Sequence, residues 1–141
     1  MKLKDIMTDD VEVVSPKTSV YEAARTMRLL DIGALPVCDG DRIVGMLTDR
    51  DLTVRSIAEG RDPRTTPVKE TMTSQIVWCY DDQNVEEAEA LMQEQQIRRL
   101  PVLDHDKRLV GIISLGDLAT RAHDAGVVST LEEVSMPAVF P

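Results

Sequence analysis

Gly45-Met-Leu-Thr48-Asp-Arg-Asp51-Leu52 returns later in the chain as Gly111-Ile-Ile-Ser114-Leu-Gly-Asp117-Leu118. In each stretch an apolar, strand-like run closes on a hydroxyl residue, and an aspartate follows three positions later. That spacing is a helix-start signal, because the hydroxyl and the carboxylate can each satisfy an orphan backbone amide of the first turn. Working outward, Met7–Leu52 matches Met72–Leu118 with an offset of 65, which becomes 66 after one extra residue near His105–Lys107. Identical pairs include Met7/Met72, Thr8/Thr73, Val20/Val85, Ala23/Ala88, Met27/Met92, Pro36/Pro101, Gly45/Gly111 and Asp51/Asp117. Self-similarity at a fixed period marks a duplicated structural unit.

Each copy reads as strand, helix, strand, strand, helix. Val11–Val14 and Ile76–Cys79 are short β-rich runs. Val20, Ala23, Ala24, Met27 and Leu30 recur at helical spacing, as do Val85, Ala88, Met92 and Gln95. Ser19 and Asn84, each three residues before a glutamate, mark where these helices begin. Leu35-Pro-Val and Leu100-Pro-Val then open hairpins, with turns at Gly40-Asp41 and His105-Asp106-Lys107. The organisation expected is a first unit over 1–60, a Gly- and Pro-bearing linker over 61–67, a second unit over 68–125 and a tail over 126–141. A unit of roughly 50 to 60 residues closes no comfortable core alone. The expected fold class is therefore α/β (α+β), two β-α-β-β-α units packed sheet to sheet about a pseudo-twofold axis, with ligand clefts between them.

Composition narrows the function classes. Sixteen basic against twenty-five acidic residues leave a net charge of −9, and the aromatic residues are limited to Tyr21, Trp78, Tyr80 and Phe140. Both the cations that displace counterions and the rings that stack on bases are scarce, which argues against nucleic-acid polymers as partners. No apolar run approaches the roughly 18 residues of a membrane span, and Asp5, Asp9 and Asp10 stand where a signal segment would be apolar. The expectation is a cytoplasmic protein with no membrane partner. Cys38 and Cys79 lie in or beside apolar strand segments and read as small core residues. His105 falls in a hairpin turn and His123 near a helix end, and no catalytic triad or metal-ligand spacing is visible, so neither catalysis nor a metal is expected.

The candidate site follows each last strand. One reading of Thr48 with Asp51, and of Ser114 with Asp117, is a capping box and nothing more, worth on the order of 1 kcal/mol each. The other is that a carboxylate and a hydroxyl at a helix N-terminus suit a nucleoside monophosphate: the carboxylate accepts from the ribose diol, and the helix start attracts phosphate. A cap residue can also touch a ligand, so the readings are compatible.

The doubled Leu-Pro-Val followed by Gly-h-h-[Thr/Ser]-x-x-Asp-Leu, where h is apolar, resembles a tandem CBS domain pair, or Bateman module, over Lys2 to about Ala122. Asp31-Ile-Gly-Ala-Leu-Pro-Val with Gly-Met-Leu-Thr-Asp-Arg-Asp is most similar to stand-alone bacterial two-CBS proteins of the hypoxic-response type. The resemblance implies a regulatory module that needs no cofactor and binds AMP, ADP, ATP or S-adenosylmethionine. It assigns the ribose diol to Asp51 or Asp117, and phosphate or ribose to Thr48 or Ser114. The base would pack against Thr8–Val11 with Ile32–Ala34 in one site, Ile32 and Ala34 foremost, and against Thr73–Ile76 with Ile97, Arg98 and Arg99 in the other. It also implies homodimers formed through the helices at Val20–Leu30, Val85–Gln95, Asp51–Ala58 and Leu118–Ala125, with Leu29, Leu30 and Leu91 as candidate contacts.

The two sites are not expected to be equivalent. Arg98 matches a phosphate-binding arginine of some family members where the first copy has Gly33, whereas Arg50 is offset by Asp49 where the second copy has Leu115-Gly116. The Asp117 site is therefore expected to be the better phosphate binder. Residues 1–67 carry a net charge of −2 and residues 68–141 one of −7. A negative field opposes polyanions, so AMP, adenosine or cationic S-adenosylmethionine should be preferred over ATP. The alternative is a ligand-free scaffold that acts as a homodimer on a regulated protein partner.

Overall fold

In the computed structural model the described residues are 1–122 and 126–137. His123, the Ala125 end of the expected last helix, and Phe140 and Pro141 of the tail lie outside them. The chain forms two compact units, one of Glu12–Ile76 and one of Met1–Val11 together with Val77–Pro141.

In the Glu12–Ile76 unit, α1 (Val20–Leu30) starts where the Ser19 hydroxyl accepts the Glu22 N–H at 3.1 Å. It buries Val20, Ala23 and Met27, one face at helical spacing, and stops at Asp31, whose φ of 53° ends the helix in a left-handed residue. β1 (Ala34–Asp39) and β2 (Arg42–Thr48) form an antiparallel hairpin turned by Gly40, at φ 66°. β1 is buried along nearly its whole length, while β2 alternates buried with half-buried positions. α2 (Asp49–Asp51) runs straight into a wider π-helical turn over Leu52–Ile57. Val20, Met27, Leu35, Val37, Leu47 and Val68 make the centre of the core.

The second unit repeats this plan. β3 (Cys79–Tyr80) pairs parallel with β4 (Arg99–Leu103), which pairs antiparallel with β5 (Leu109–Ser114). α3 (Val85–Gln95) buries Val85, Ala88 and Met92. α4 (Leu115–Asp117) again continues as a π turn, over Leu118–Ala122. The fold is α+β, as the repeat implied.

Three sequence expectations need correction. Val11–Val14 makes no strand: only Val14 reaches the sheet, in a parallel bridge to Val37. The second first strand is Cys79–Tyr80, two residues and later than Ile76–Cys79. Val13 is 38% exposed, and β-rich composition forms a ladder only where a sheet edge is in reach. The tail is also more than a tail: Gly126–Ser135 is a helix, α5, packed against α3, with Val127 and Val134 on the core and Gln93 Nε2 donating to Thr130 Oγ1 at 3.0 Å.

Candidate functional site

Each last strand delivers its hydroxyl to the start of the following helix. In the first copy the Thr48 N–H donates to Asp51 Oδ2 at 3.0 Å and the Asp51 N–H donates to Thr48 Oγ1 at 3.1 Å. The second copy repeats this, with Ser114 N–H to Asp117 Oδ2 at 3.0 Å and Asp117 N–H to Ser114 Oγ at 3.0 Å. The capping-box reading is therefore correct as local structure. It engages one carboxylate oxygen, Oδ2, and leaves the other turned elsewhere.

That other oxygen has a partner that the sequence reading missed. Arg55 Nε lies 3.8 Å from Asp51 Oδ1 and Arg121 Nε lies 3.8 Å from Asp117 Oδ1. At 3.8 Å these are charge neighbours, too long for hydrogen bonds. Arg55 and Arg121 obey the same offset of 66 as the aspartates, so extending the repeat three residues beyond Leu52 and Leu118 finds them. Each arginine is also held by backbone carbonyls: Arg55 by Met72 O at 3.3 Å, Arg121 by Ile6 O and Met7 O at 3.2 and 3.1 Å. A largely buried carboxylate is thus kept next to a fixed guanidinium, with an oxygen free to accept from a hydroxyl pair.

The remaining expected residues gather on the same corners. Ala34 pairs with Thr48 and Arg99 with Ser114. The Asp49 N–H donates to Gly33 O at 3.0 Å and the Leu115 N–H to Arg98 O at 2.9 Å, so the segment before each Leu-Pro-Val abuts the helix start. Arg50 is exposed, and its own N–H is taken by the Asp49 carboxylate at 2.9 Å. Leu115-Gly116 carries no such carboxylate. Ile32 is 38% exposed and Ile97 half-buried. The Arg98 side chain does not point free into solvent: its Nη2 donates to Ser135 Oγ at 3.2 Å.

The segments expected to line the base are tied down by backbone hydrogen bonds. Thr8 is hydrogen-bonded to Ile112 in both directions, at 2.9 Å each, and Thr73 to Met46 at 2.8 and 2.9 Å. Thr8 therefore belongs to the unit that carries Ser114, and Thr73 to the unit that carries Thr48. The glycines explain the fit: a Cβ on Gly111 would lie 2.5 Å from Met7 Sδ and 2.9 Å from Thr8 O, and one on Gly45 would lie 2.6 Å from Met72 Sδ.

The cysteines are buried and unbridged. Burial pushes the Cys79 thiol up to about 11, with the Glu87 charge adding to it, and burial then Asp41 push Cys38 upward. Neither is poised as a thiolate. Leu29 and Leu30 are exposed, and Leu91 is half-buried against the core. No helix among the described residues is long and apolar enough to cross a membrane.

Two α+β units, each closing on a hydroxyl–carboxylate helix start backed by an arginine, define a duplicated module of the kind found in regulatory proteins. The CBS domain model matches residues 3–57 and 68–124, and the chain belongs to that family. CBS domain-containing protein YhcV of Bacillus subtilis is 46% identical over 117 residues, covering 83% of this chain and 82% of that protein. Hypoxic response protein 1 of Mycobacterium tuberculosis is 37% identical over 135 residues, covering 95% and 94%. Among solved structures, CBSX2 in complex with AMP matches at TM-score 0.76 and 32% identity over 86% of this chain and 96% of that one. The CBS pair of MJ0100, in complex with 5-methylthioadenosine and S-adenosyl-L-methionine, matches at 0.75 and 26% over 84% and 93%.

Proposed function

We propose that this chain is a non-catalytic regulatory module of the cytoplasm that binds an adenosine-containing ligand and signals in trans. The observation that carries the reading is the duplicated cap, in which one aspartate oxygen is engaged by the backbone while the other sits beside Arg55 or Arg121. Asp51 and Asp117 take the ribose diol; Thr48 and Ser114 border the phosphate or ribose. Ser114–Asp117, with Arg98 and Arg99 alongside, is the stronger site for phosphate. AMP, adenosine or S-adenosylmethionine is preferred over ATP, because the net charge of −9 opposes a polyanion. The AMP and S-adenosylmethionine complexes of CBSX2 and MJ0100 support this ligand class.

The test is to denature the purified protein and look for adenine absorbance and nucleotide mass in the supernatant, then titrate a panel of adenosine ligands by calorimetry. Saturable binding of AMP supports the reading. An empty supernatant with no heat from any ligand overturns it, and ATP binding tighter than AMP in physiological salt without magnesium overturns the charge argument.

A second reading, a homodimeric scaffold with empty sites, is favoured by one observation. Leu29 is 74%, Ile57 61%, Leu30 49% and Val54 46% exposed, large apolar side chains on helical segments. Sedimentation of a monomer at micromolar concentration would count against it.

A further inference from the structure

The parallel pairing of β3 with β4 brings two turns to one edge of the second unit. Asp81 and Asp82 leave β3, where the Asp81 N–H donates to Leu103 O at 2.9 Å, and Asp104 and His105 leave β4. His105 Nε2 lies 2.7 Å from Asp82 Oδ2, and the ligand atoms of Asp81, Asp82 and His105 all fall within 4.8 Å of one another. The imidazole is held flat: its ring stacks on Tyr80 with centroids 4.4 Å apart and 14° between planes, and Trp78 meets Tyr80 edge-on at 4.7 Å.

The fold does not require these residues. At the repeat offset the first copy has Pro16-Lys17 in place of Asp81-Asp82, and it turns its hairpin with Gly40-Asp41. The first copy's helix and hairpin therefore form without two carboxylates and an imidazole in one place. Asp104 adds negative charge near the imidazole and Lys2 a cation beside Asp82, which leaves an acidic corner containing one nitrogen ligand.

We propose that Asp81, Asp82 and His105 form an open three-ligand site for a divalent transition-metal ion of the zinc class, with water completing the coordination. One imidazole with two carboxylates suits zinc, cobalt or nickel, whereas magnesium and calcium take oxygen ligands. Zinc–ligand distances are about 2.0–2.2 Å, so the exposed Asp82 and His105 side chains need only part slightly to admit the ion. The site lies on the β3–β4 turns and is independent of Ser114 and Asp117, so its fate does not depend on the adenosine reading.

The test uses the full chain stripped with chelator and titrated with Zn²⁺ by calorimetry, and with Ni²⁺ while following the fluorescence of Trp78, the lone tryptophan. The expected result is one saturable site, quenching of Trp78 by Ni²⁺, and a loss of affinity of about 10-fold or more in both His105→Ala and Asp82→Asn. Magnesium should not compete, and His123→Ala, which changes the other imidazole, should bind as the parent does. Circular dichroism checks that the variants fold, which the exposure of both side chains favours. Undiminished zinc affinity in His105→Ala, loss of it in His123→Ala, or no saturation below about 1 mM would overturn the proposal.

Discussion

Arg98 on the segment before β4 and Ser135 at the end of α5 are joined by a hydrogen bond of 3.2 Å. Gln96 Nε2 adds contacts to Glu133 O and Met136 O at 3.3 and 3.4 Å. Arg98, which the proposed function places beside phosphate at the Asp117 site, is therefore held by a helix lying outside the matched CBS repeats. Ser135→Ala frees the guanidinium from a bond worth about 0.5–1.5 kcal/mol, so AMP should bind several-fold tighter while adenosine, which lacks the phosphate, is unchanged. Calorimetry with the two ligands checks this; an equal gain for both would place the effect elsewhere.

The proposed function gives Asp117 a second job beside its cap, and the two are separable. Asp117→Ala removes the cap partner of the Ser114 N–H and the acceptor of the diol, and should cost about 1 kcal/mol in urea unfolding and roughly 1–3 kcal/mol in adenosine-ligand affinity. Asp117→Asn keeps an oxygen for the cap but loses the charge beside Arg121, so it should recover most of the stability and less of the affinity. Identical losses in both assays would contradict the division.

Gly111 and Gly45 are required by close approach of another segment. Gly111→Ala should destabilise by about 1–3 kcal/mol, because its Cβ meets both Met7 Sδ and the Thr8 carbonyl. Met7→Ala in the same chain should restore little, since the backbone oxygen at 2.9 Å cannot swing away. Denaturant midpoints of the single and double variants measure this; full rescue would mean the methionine alone is the obstacle.

Cys79 makes alkaline stability readable. Its thiol is raised from 9.0 to about 11 by burial, with the Glu87 charge adding to the effect. A raised folded-state value means that the neutral thiol stabilises the native state fully below about 9, and that this contribution is lost as pH rises through about 11. The parent should therefore lose more stability between those limits than Cys79→Ala does, as measured by urea midpoints across the range. At neutral pH both thiols should react with a disulfide reagent only after denaturant is added; rapid labelling of the native protein would contradict their burial.

The parts of the site legible in the sequence are those built by neighbours. Thr48 with Asp51, and Ser114 with Asp117, are three residues apart, and that interval alone places a side-chain oxygen over an open amide. Arg55 and Arg121 were equally legible through the repeat, but an arginine on a helix face has no local signature that separates an ion neighbour from a solvated side chain. Val11–Val14 has the composition of a strand without forming one for a related reason: β-branched residues make a strand only where a sheet edge accepts them, and only Val14 finds one.

By itself the sequence determined the duplication, the hairpins, the helix starts and the location of the caps, because each rests on periodicity or on hydrogen bonds spanning a few residues. Only the tertiary structure decided that Thr8 would pair with Ile112 and Thr73 with Met46, that Arg121 would grip the Ile6 and Met7 carbonyls, that α5 would take Arg98, and that His105 would meet Asp82. These contacts join residues far apart in the chain, and they follow from which sheet edge and which helix face is left uncovered once the local elements have formed. The two copies are nearly interchangeable as local patterns, so nothing within a single copy reveals which of them the segment before it will complete.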